Sequence, residues 1–351
     1  MTYVMPAETG RHERTWMSFP TEGYVLGSTA QSRDEAIGTW SSVANIIARY
    51  EPVSMMVDPA LETIAAGVLD DDVTLHSCPL NDCWMRDSGP TFVIEHGSDT
   101  SSTPIVRGTL KAVDWVFNGW GQQQWSTWDK DELLAKRVAH AAGVDAISSS
   151  YVFEGGGFHV DGQGTAILTE TVALDPHRNP GKTREDIERE LHHMLGVEKV
   201  IWLPRGLTRD YGEFGTRGHV DIVACMPQPG VVLFHDQQDR NHPDYEVSRQ
   251  IERVLSEARD ATGRQFTVIP VPAPQQGYET DGTPTDFSYI NHYAANGVVV
   301  ACTFHDPNDD KALAVLEQAY PGRHVEPIYA KPLFDRGGGI HCITQQQPAV
   351  D

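Results

Sequence analysis

The chain has 351 residues, enough to bury a large core, and an apolar and aromatic content ordinary for a soluble globular protein. Its 27 basic and 49 acidic residues give a formal net charge of −22, a surface that repels nucleic acid and anionic membranes and attracts small cations. The five cysteines, Cys78, Cys83, Cys225, Cys302 and Cys342, are odd in number and form no C-x-x-C pair, which disfavours a disulfide framework or a cysteine zinc site and fits a reducing cytoplasm.

The opening segment carries Glu8, Arg11, His12, Glu13 and Arg14, so no signal peptide is expected there. No later apolar run approaches membrane-spanning length. Apolar periodicity and end signals then predict helices over Ala30–Tyr50, Pro59–Ala66, Asp129–Ala142 closed by Gly143, Thr183–Leu195, Pro243–Thr262 closed by Gly263, and Asp309–Tyr320 ended by Pro321. Thr183 and Asp186 are spaced as a capping box, with Gly196 just past the helix end. Strand-like stretches lie at Pro52–Val57, Thr91–Glu95, Ala166–Thr169, Val200–Leu203, Val231–His235, Phe266–Pro270 and Gly297–Phe304. Polar loops are expected at Gly97–Pro104 and Pro270–Pro284.

The helices beginning at 183, 244 and 309 are separated by about 60–65 residues, a period that suggests a repeated strand-and-helix unit. Gly155-Gly156-Gly157-Phe158-His159 echoes Gly337-Gly338-Gly339-Ile340-His341 about three such units later. A βα unit repeated in this way suggests modules arranged around an axis.

Four polar clusters follow the same period. They contain Asp82, Arg86 and Asp87 around Trp84; Glu154 with His159 and Asp161; His219 with Asp221; and His341 with Cys342. In a modular ring, equivalent positions would converge on one pocket. If His219 and Asp221 lie on a strand, they share a face. Such a pair suits acid–base chemistry, metal ligation or a hydrogen-bonded core histidine. His159 and Asp161 repeat the pattern, and a di-metal hydrolase could use both, although no H-E-x-x-H or H-x-H-x-D spacing supports a metal. Cys342 alone is compatible with an inert buried thiol. Its glycine run permits close approach to a ligand, and a histidine elsewhere could protonate a leaving group. On an extended strand His341 would face away from Cys342. A carboxylate such as Asp87 could bind a planar guanidinium through paired hydrogen bonds.

These motifs, in order, resemble the agmatine deiminases (agmatine iminohydrolases) of the guanidino-group-modifying, peptidyl-arginine deiminase-like superfamily. The resemblance runs almost end to end. It rests on Met5-Pro6-Ala7-Glu8 with His12–Met17, on Trp84–Phe92, on Phe117–Gly121 with Trp128–Asp131, on Glu154-Gly155-Gly156, on Gly218–Asp221, on Ser288–Asn291 and on Ile340–Gln346. It implies an α/β fold of five ββαβ-type modules, a pentein propeller, with residues 1–351 as a single catalytic domain. It also implies Cys342 as nucleophile, His219 as general acid and then base, Glu154 as the residue orienting His219, and Asp87 and Asp221 as the guanidinium grip. Trp84 and Trp120, within the matching blocks, are candidate substrate-binding residues. The implied reaction converts agmatine to N-carbamoylputrescine and ammonia through an amidino-cysteine, a step toward putrescine. No metal or organic cofactor is expected, the partner is a small cationic guanidine, and a homo-oligomer such as a dimer is implied. Alternatives are a deiminase of free or peptidyl arginine, a metallohydrolase, or a non-catalytic propeller that serves as a binding module.

The chain departs from the family pattern at Gly215, where an acid is usual, at Arg217, at Ile222, at Gln122, where a glycine is usual, and at the Gly338-Gly339 pair. An arginine near the substrate's ammonium tail would repel it. Arg217 is therefore expected to turn away and pair with Asp210 or Glu213.

Overall fold

The computed structural model describes residues 2–97 and 108–350. The polar loop expected at Gly97–Pro104 lies outside these residues from 98 onward.

The described strands form five sheets, each of three or four strands. One plan recurs: two antiparallel strands, a helix, and a third strand parallel to the second. A parallel partner needs a long crossover, and the helix supplies it. In one module Phe158–Val160 and Thr165–Thr169 are followed by the Arg184–Leu195 helix and by Lys199–Leu203. The next has Ala224–Gln228, Val231–Asp236, the Asp244–Glu257 helix and Thr267–Pro272. Another has Tyr293–Ala295, Val298–Thr303, the Asp309–Ala319 helix and His324–Tyr329. The module of Thr91–His96, Thr109–Val116, the Leu134–Ala142 helix and Asp145–Val152 adds Thr2–Val4 at its edge. The remaining sheet is shared by the two ends of the chain. Thr344–Pro348 pairs antiparallel with His12–Ser18, which runs parallel to Val53–Val57 after the Ala30–Ala48 helix, and Val73–Ser77 completes that sheet. The C-terminal strand thus supplies the strand that the first module lacks.

Each helix buries one stripe. Val247, Ile251 and Leu255 recur every four residues on the Asp244–Glu257 helix and are buried, worth about 1.5–3 kcal/mol each on transfer grounds. Ile187, Leu191, Met194 and Leu195 do the same for Arg184–Leu195. There the expected capping box is present, and Gly196 closes the helix with left-handed backbone at φ 71°.

The helix expected over Pro243–Thr262 ends earlier, at Glu257. Asp260 captures the chain in a tight turn, accepting from the backbone N–H groups of Thr262 and Arg264, and an Arg259–Gln265 bridge follows. The strand His12–Ser18 and its partner Thr344–Pro348, both mixed in polarity, were not among the expected strands, yet most of their residues are buried.

Candidate active site

A short helical turn opens every module just before its first strand. The turns are Met85–Ser88, Gly155–Gly157, Val220–Ile222 and His341–Ile343, and the segment 288–292 plays the same part before Tyr293. Their side chains and backbone meet at one point. Cys342 Sγ lies 3.5 Å from Asp221 Oδ2 and 3.3 Å from Asn291 Nδ2. The backbone N–H of Gly156 donates to Asp87 Oδ1 at 3.1 Å. A Cβ built on Gly156 would sit 2.6 Å from His219 Nδ1, 2.9 Å from Asp87 Oδ1 and 3.0 Å from Asp221 Oδ2. Only a glycine leaves that space open between the three groups.

His219 and Asp221 are not on a strand, as expected above, but on the entry to a one-turn 3₁₀ helix, with His219 as its N-terminal flanking residue. Val220 packs into the core while Asp221 turns to the site. Likewise His341 and Cys342 begin a 3₁₀ turn rather than a strand. Both ring nitrogens of His341 are engaged with carboxylates rather than with Cys342. Nδ1 lies 2.8 Å from Asp221 Oδ2 and Nε2 lies 2.9 Å from Glu8 Oε2.

His219 is buried between carboxylates, with Nδ1 3.7 Å from Asp87 Oδ1 and Nε2 3.5 Å from Glu154 Oε2. Burial alone would lower its pKa, but Asp87, Glu154 and Asp221 outweigh burial and raise it to about 9. Glu154 is in turn gripped by Arg178 Nε at 2.9 and 3.0 Å. Burial pushes the Glu154 carboxyl up, and Arg178 and His219 more than reverse this. Burial raises Asp87 to about 6 against the pull of His219, with Asp221 adding to the rise. Asp221 goes the other way: burial is outweighed by His341 and His219, and its pKa falls. Its Oδ1 is buried without a hydrogen-bond partner. Burial, then Asp221 and Asp87, push the Cys342 thiol well above its ordinary range.

The glycine run before Cys342 does what close approach requires. A Cβ on Gly338 would lie 2.6 Å from the Trp84 ring and 3.1 Å from Cys342 Sγ, and one on Gly339 would lie 2.4 Å from Asn291 Oδ1. Trp84 thus braces the turn that carries the thiol, and its indole donates to Tyr24 Oη at 2.8 Å. Trp120 donates to Asp87 Oδ2 at 2.8 Å. It does so from a left-handed turn, with φ of 67°, 56°, 80° and 59° for Gly119, Trp120, Gly121 and Gln122, a conformation costing roughly 1–2 kcal/mol for each non-glycine residue.

Arg86 does not pair with Asp87. It reaches Glu8 Oε2 at 3.4 Å, the His341 carbonyl at 3.3 Å and Gln346 Oε1 at 2.8 Å. The second His-x-Asp pair stays apart from the first as a ligand set: Asp161 Oδ1 accepts from the backbone of Gln163 and Thr165, and His159 lies with its ring 6.4 Å from that of His341. Among the described residues, no three His, Cys, Asp or Glu side chains form a group able to hold a metal ion. Asp82 bonds Tyr24 at 2.6 Å. Arg217 turns to Asp175, 3.6 Å away, rather than to Asp210 or Glu213. Asp210 is already occupied, accepting from the backbone N–H groups of Thr216, Gly218 and His219. That tight loop explains Gly215, where a Cβ would fall 2.1 Å from the Asp210 carbonyl oxygen. Ile222 is core.

Three residues were not singled out for the site from sequence: Asn291, Glu8 and Arg178. Asn291 had a signal. The clusters at His219 and Cys342 are two periods apart, and Asn291 fills the step between them. Glu8 stands in the matching opening block, but nothing there marks its contact with His341, 333 positions away, and Arg178 stands in no matching block.

Converging ββαβ modules that bring a thiol, an imidazole and paired carboxylates together define the guanidino-group-modifying class of enzyme. The chain belongs to the Porphyromonas-type peptidyl-arginine deiminase family, whose model matches residues 4–348. It is 47% identical over 348 residues to a Streptomyces coelicolor protein named "Putative agmatine deiminase", covering 99% of each chain. It is 37% identical over 373 residues to the agmatine deiminase of Medicago truncatula, covering 99% of this chain and 97% of that one. The solved agmatine deiminase of Enterococcus faecalis superposes with a TM-score of 0.88 at 31% identity, covering 100% of this chain and 97% of that one.

Proposed function

We propose that the protein hydrolyses agmatine to N-carbamoylputrescine and ammonia, a step toward putrescine. The observation that carries this reading is the buried, unpartnered Oδ1 of Asp221 beside Cys342 and His219. A buried carboxylate oxygen without a donor calls for a cationic hydrogen-bond donor. A guanidinium held by Asp87 and Asp221 is such a donor, and it would present its carbon to Cys342. The names of the full-length relatives support agmatine as the guanidine.

The steps follow from the groups present. The entering cation and the protonated His219 favour the thiolate, and Cys342 releases its proton to solvent. Sulfur attacks the guanidinium carbon, forming C–S as the C=N π pair moves to nitrogen. His219 donates its proton to the departing nitrogen, C–N breaks and ammonia leaves. An amidino-cysteine remains. His219, now neutral, takes a proton from water, which attacks the same carbon. The tetrahedral adduct then collapses: C–S breaks and the thiolate returns, the hydroxyl proton passes to solvent as C=O forms, and the carbamoyl product leaves. Glu154, fixed by Arg178, keeps His219 oriented and charged. Trp120 steadies Asp87, and Trp84 backs the nucleophile's turn.

Residues 1–351 act in this reading as one catalytic domain, since the modules share a single site. We place the enzyme in the cytoplasm, which suits five cysteines that are all free and buried and the absence, among the described residues, of a helix long and apolar enough to cross a membrane. A homodimer is part of the proposal.

Purified protein should release ammonia from agmatine, and Cys342→Ala should reduce release to background. Unchanged release in that variant overturns the mechanism. A higher kcat/KM for free or peptidyl arginine than for agmatine overturns the choice of substrate, not the chemistry; a 100-fold preference corresponds to about 2.7 kcal/mol.

A further inference from the structure

The His341 side chain has no step in the chemistry above, yet it is the most heavily engaged group beside it. Its two ring nitrogens contact two buried carboxylates, Asp221 Oδ2 at 2.8 Å and Glu8 Oε2 at 2.9 Å. Two short contacts of this kind need two ring N–H donors unless a carboxyl is protonated. Glu8 is unsuited to carry that proton. Arg86 lies 3.4 Å from the same oxygen, and a backbone N–H, that of Ala294, donates to its other oxygen at 2.9 Å. We propose that His341 is a positioning residue for deimination: a buried imidazolium that Glu8 holds charged, it pins Asp221 Oδ2 and leaves Oδ1 free for the guanidinium.

The need for such a residue comes from Asp87. Two carboxylates facing one small space repel each other, and one of them takes up a proton when nothing offsets the charge. A cation behind Asp221 lets both stay ionised, so the site meets its substrate as a pair of charges. The groups facing the imidazole agree with this assignment. Burial and then Arg86 oppose its charge, while Glu8 and Asp221 favour it. The carboxylates prevail and the pKa of His341 is raised. His159 and His292 are themselves driven down to about 4 and therefore stay neutral.

The inference rests on the guanidine reading of the site, and two measurements separate their failures. The first needs no substrate. Histidine-¹⁵N NMR of the whole protein at pH 7 should show the His341 imidazole, assigned by its absence from His341→Asn, with both nitrogens protonated. A neutral tautomer overturns the proposal whatever the substrate. The second uses agmatine. His341→Asn keeps a donor for Asp221 and loses the charge, so Asp221 should titrate alongside Asp87. The acid limb of kcat/KM should move up by about one pH unit and steepen, about a tenfold loss at pH 6 that recovers above pH 8. His341→Leu keeps neither donor nor charge, and its KM should rise at every pH. An acid limb left in place, with both variants reduced equally across the range, marks a merely structural residue and overturns the proposal. Glu8→Gln keeps the contact to Nε2 and should move the limb in the same direction as His341→Asn; no movement there removes Glu8 from it. If wild-type protein releases no ammonia from agmatine, the substrate assignment fails and the NMR result alone decides the role of His341.

Discussion

Asp87 and His219 are 3.7 Å apart, and in the proposed mechanism their protonation sets the working range of the enzyme. The guanidinium grip needs Asp87 ionised, and its carboxylate is lost as pH falls through about 6. The leaving ammonia needs a protonated His219, and that proton is lost as pH rises through about 9. The kcat/KM profile for agmatine should therefore be bell-shaped, with an acid limb near 6 and a basic limb near 9 belonging to this coupled pair. A profile flat across about pH 5 to 10 would contradict these assignments. Arg178 is a residue of another kind. Fully buried, it neutralises Glu154 at 2.9 Å and Asp175 at 3.1 Å. Among the described residues, Arg178→Met leaves Glu154 with only His219, 3.5 Å away, and Asp175 with only Arg217, 3.6 Å away, as ion-pair partners, and should cost about 3–5 kcal/mol, read from the urea midpoint. That Cys342, His219, Glu154, Asp87 and Asp221 converge was legible in the sequence because each stands in a distinctive motif and the motifs share a period. Glu8 and Asn291 were harder to see because their work is done on other modules, and Arg178 because no motif marks its contact with Glu154, 24 positions away. Asn291 is 51 positions from the thiol it touches, and Glu8 is 333 from His341.

At the scale of elements, end signals located the helices well where the capping chemistry was local. Thr183 accepts from the backbone N–H of Asp186 while Asp186 accepts from that of Thr183, and the helix starts where that pattern predicts. Thr183→Ala should cost about 1 kcal/mol, lowering the urea midpoint and leaving kcat for agmatine unchanged. A fall in kcat would mean that this helix does more than close its module. The Asp244–Glu257 helix shows the limit of such signals. Gly263 looked like its terminator, but Asp260 takes the chain first. Strands were read less completely. Apolar runs such as Val298–Thr303 were visible, whereas Thr344–Pro348, sequence TQQQP, has no apolar alternation to mark it. It is a strand because His12–Ser18 offers it a row of backbone partners, and Trp16 bonds Gln347 Oε1 at 2.8 Å.

For the whole molecule, a modular plan was visible as a period of helices and polar clusters, its five modules came from the family resemblance, and its closure was not visible. Closure depends on pairing the last strand with the first residues of the chain, from Thr344 against Met17 to Pro348 against His12. A chain ending at Ile343 keeps every catalytic side chain but loses that ladder. It should show no cooperative thermal transition by circular dichroism and release no ammonia. Native-like melting in that chain would mean that the remaining modules suffice.

The closing strand also has a consequence in time. The ribosome makes the nucleophile just before the strand that completes the first sheet. Every shorter nascent chain carries Asp87, Glu154, His219 and Asp221 without a thiol to serve. In the proposed mechanism the nucleophile therefore appears only with the strand that closes the first sheet, and an interrupted product should be inert toward guanidines.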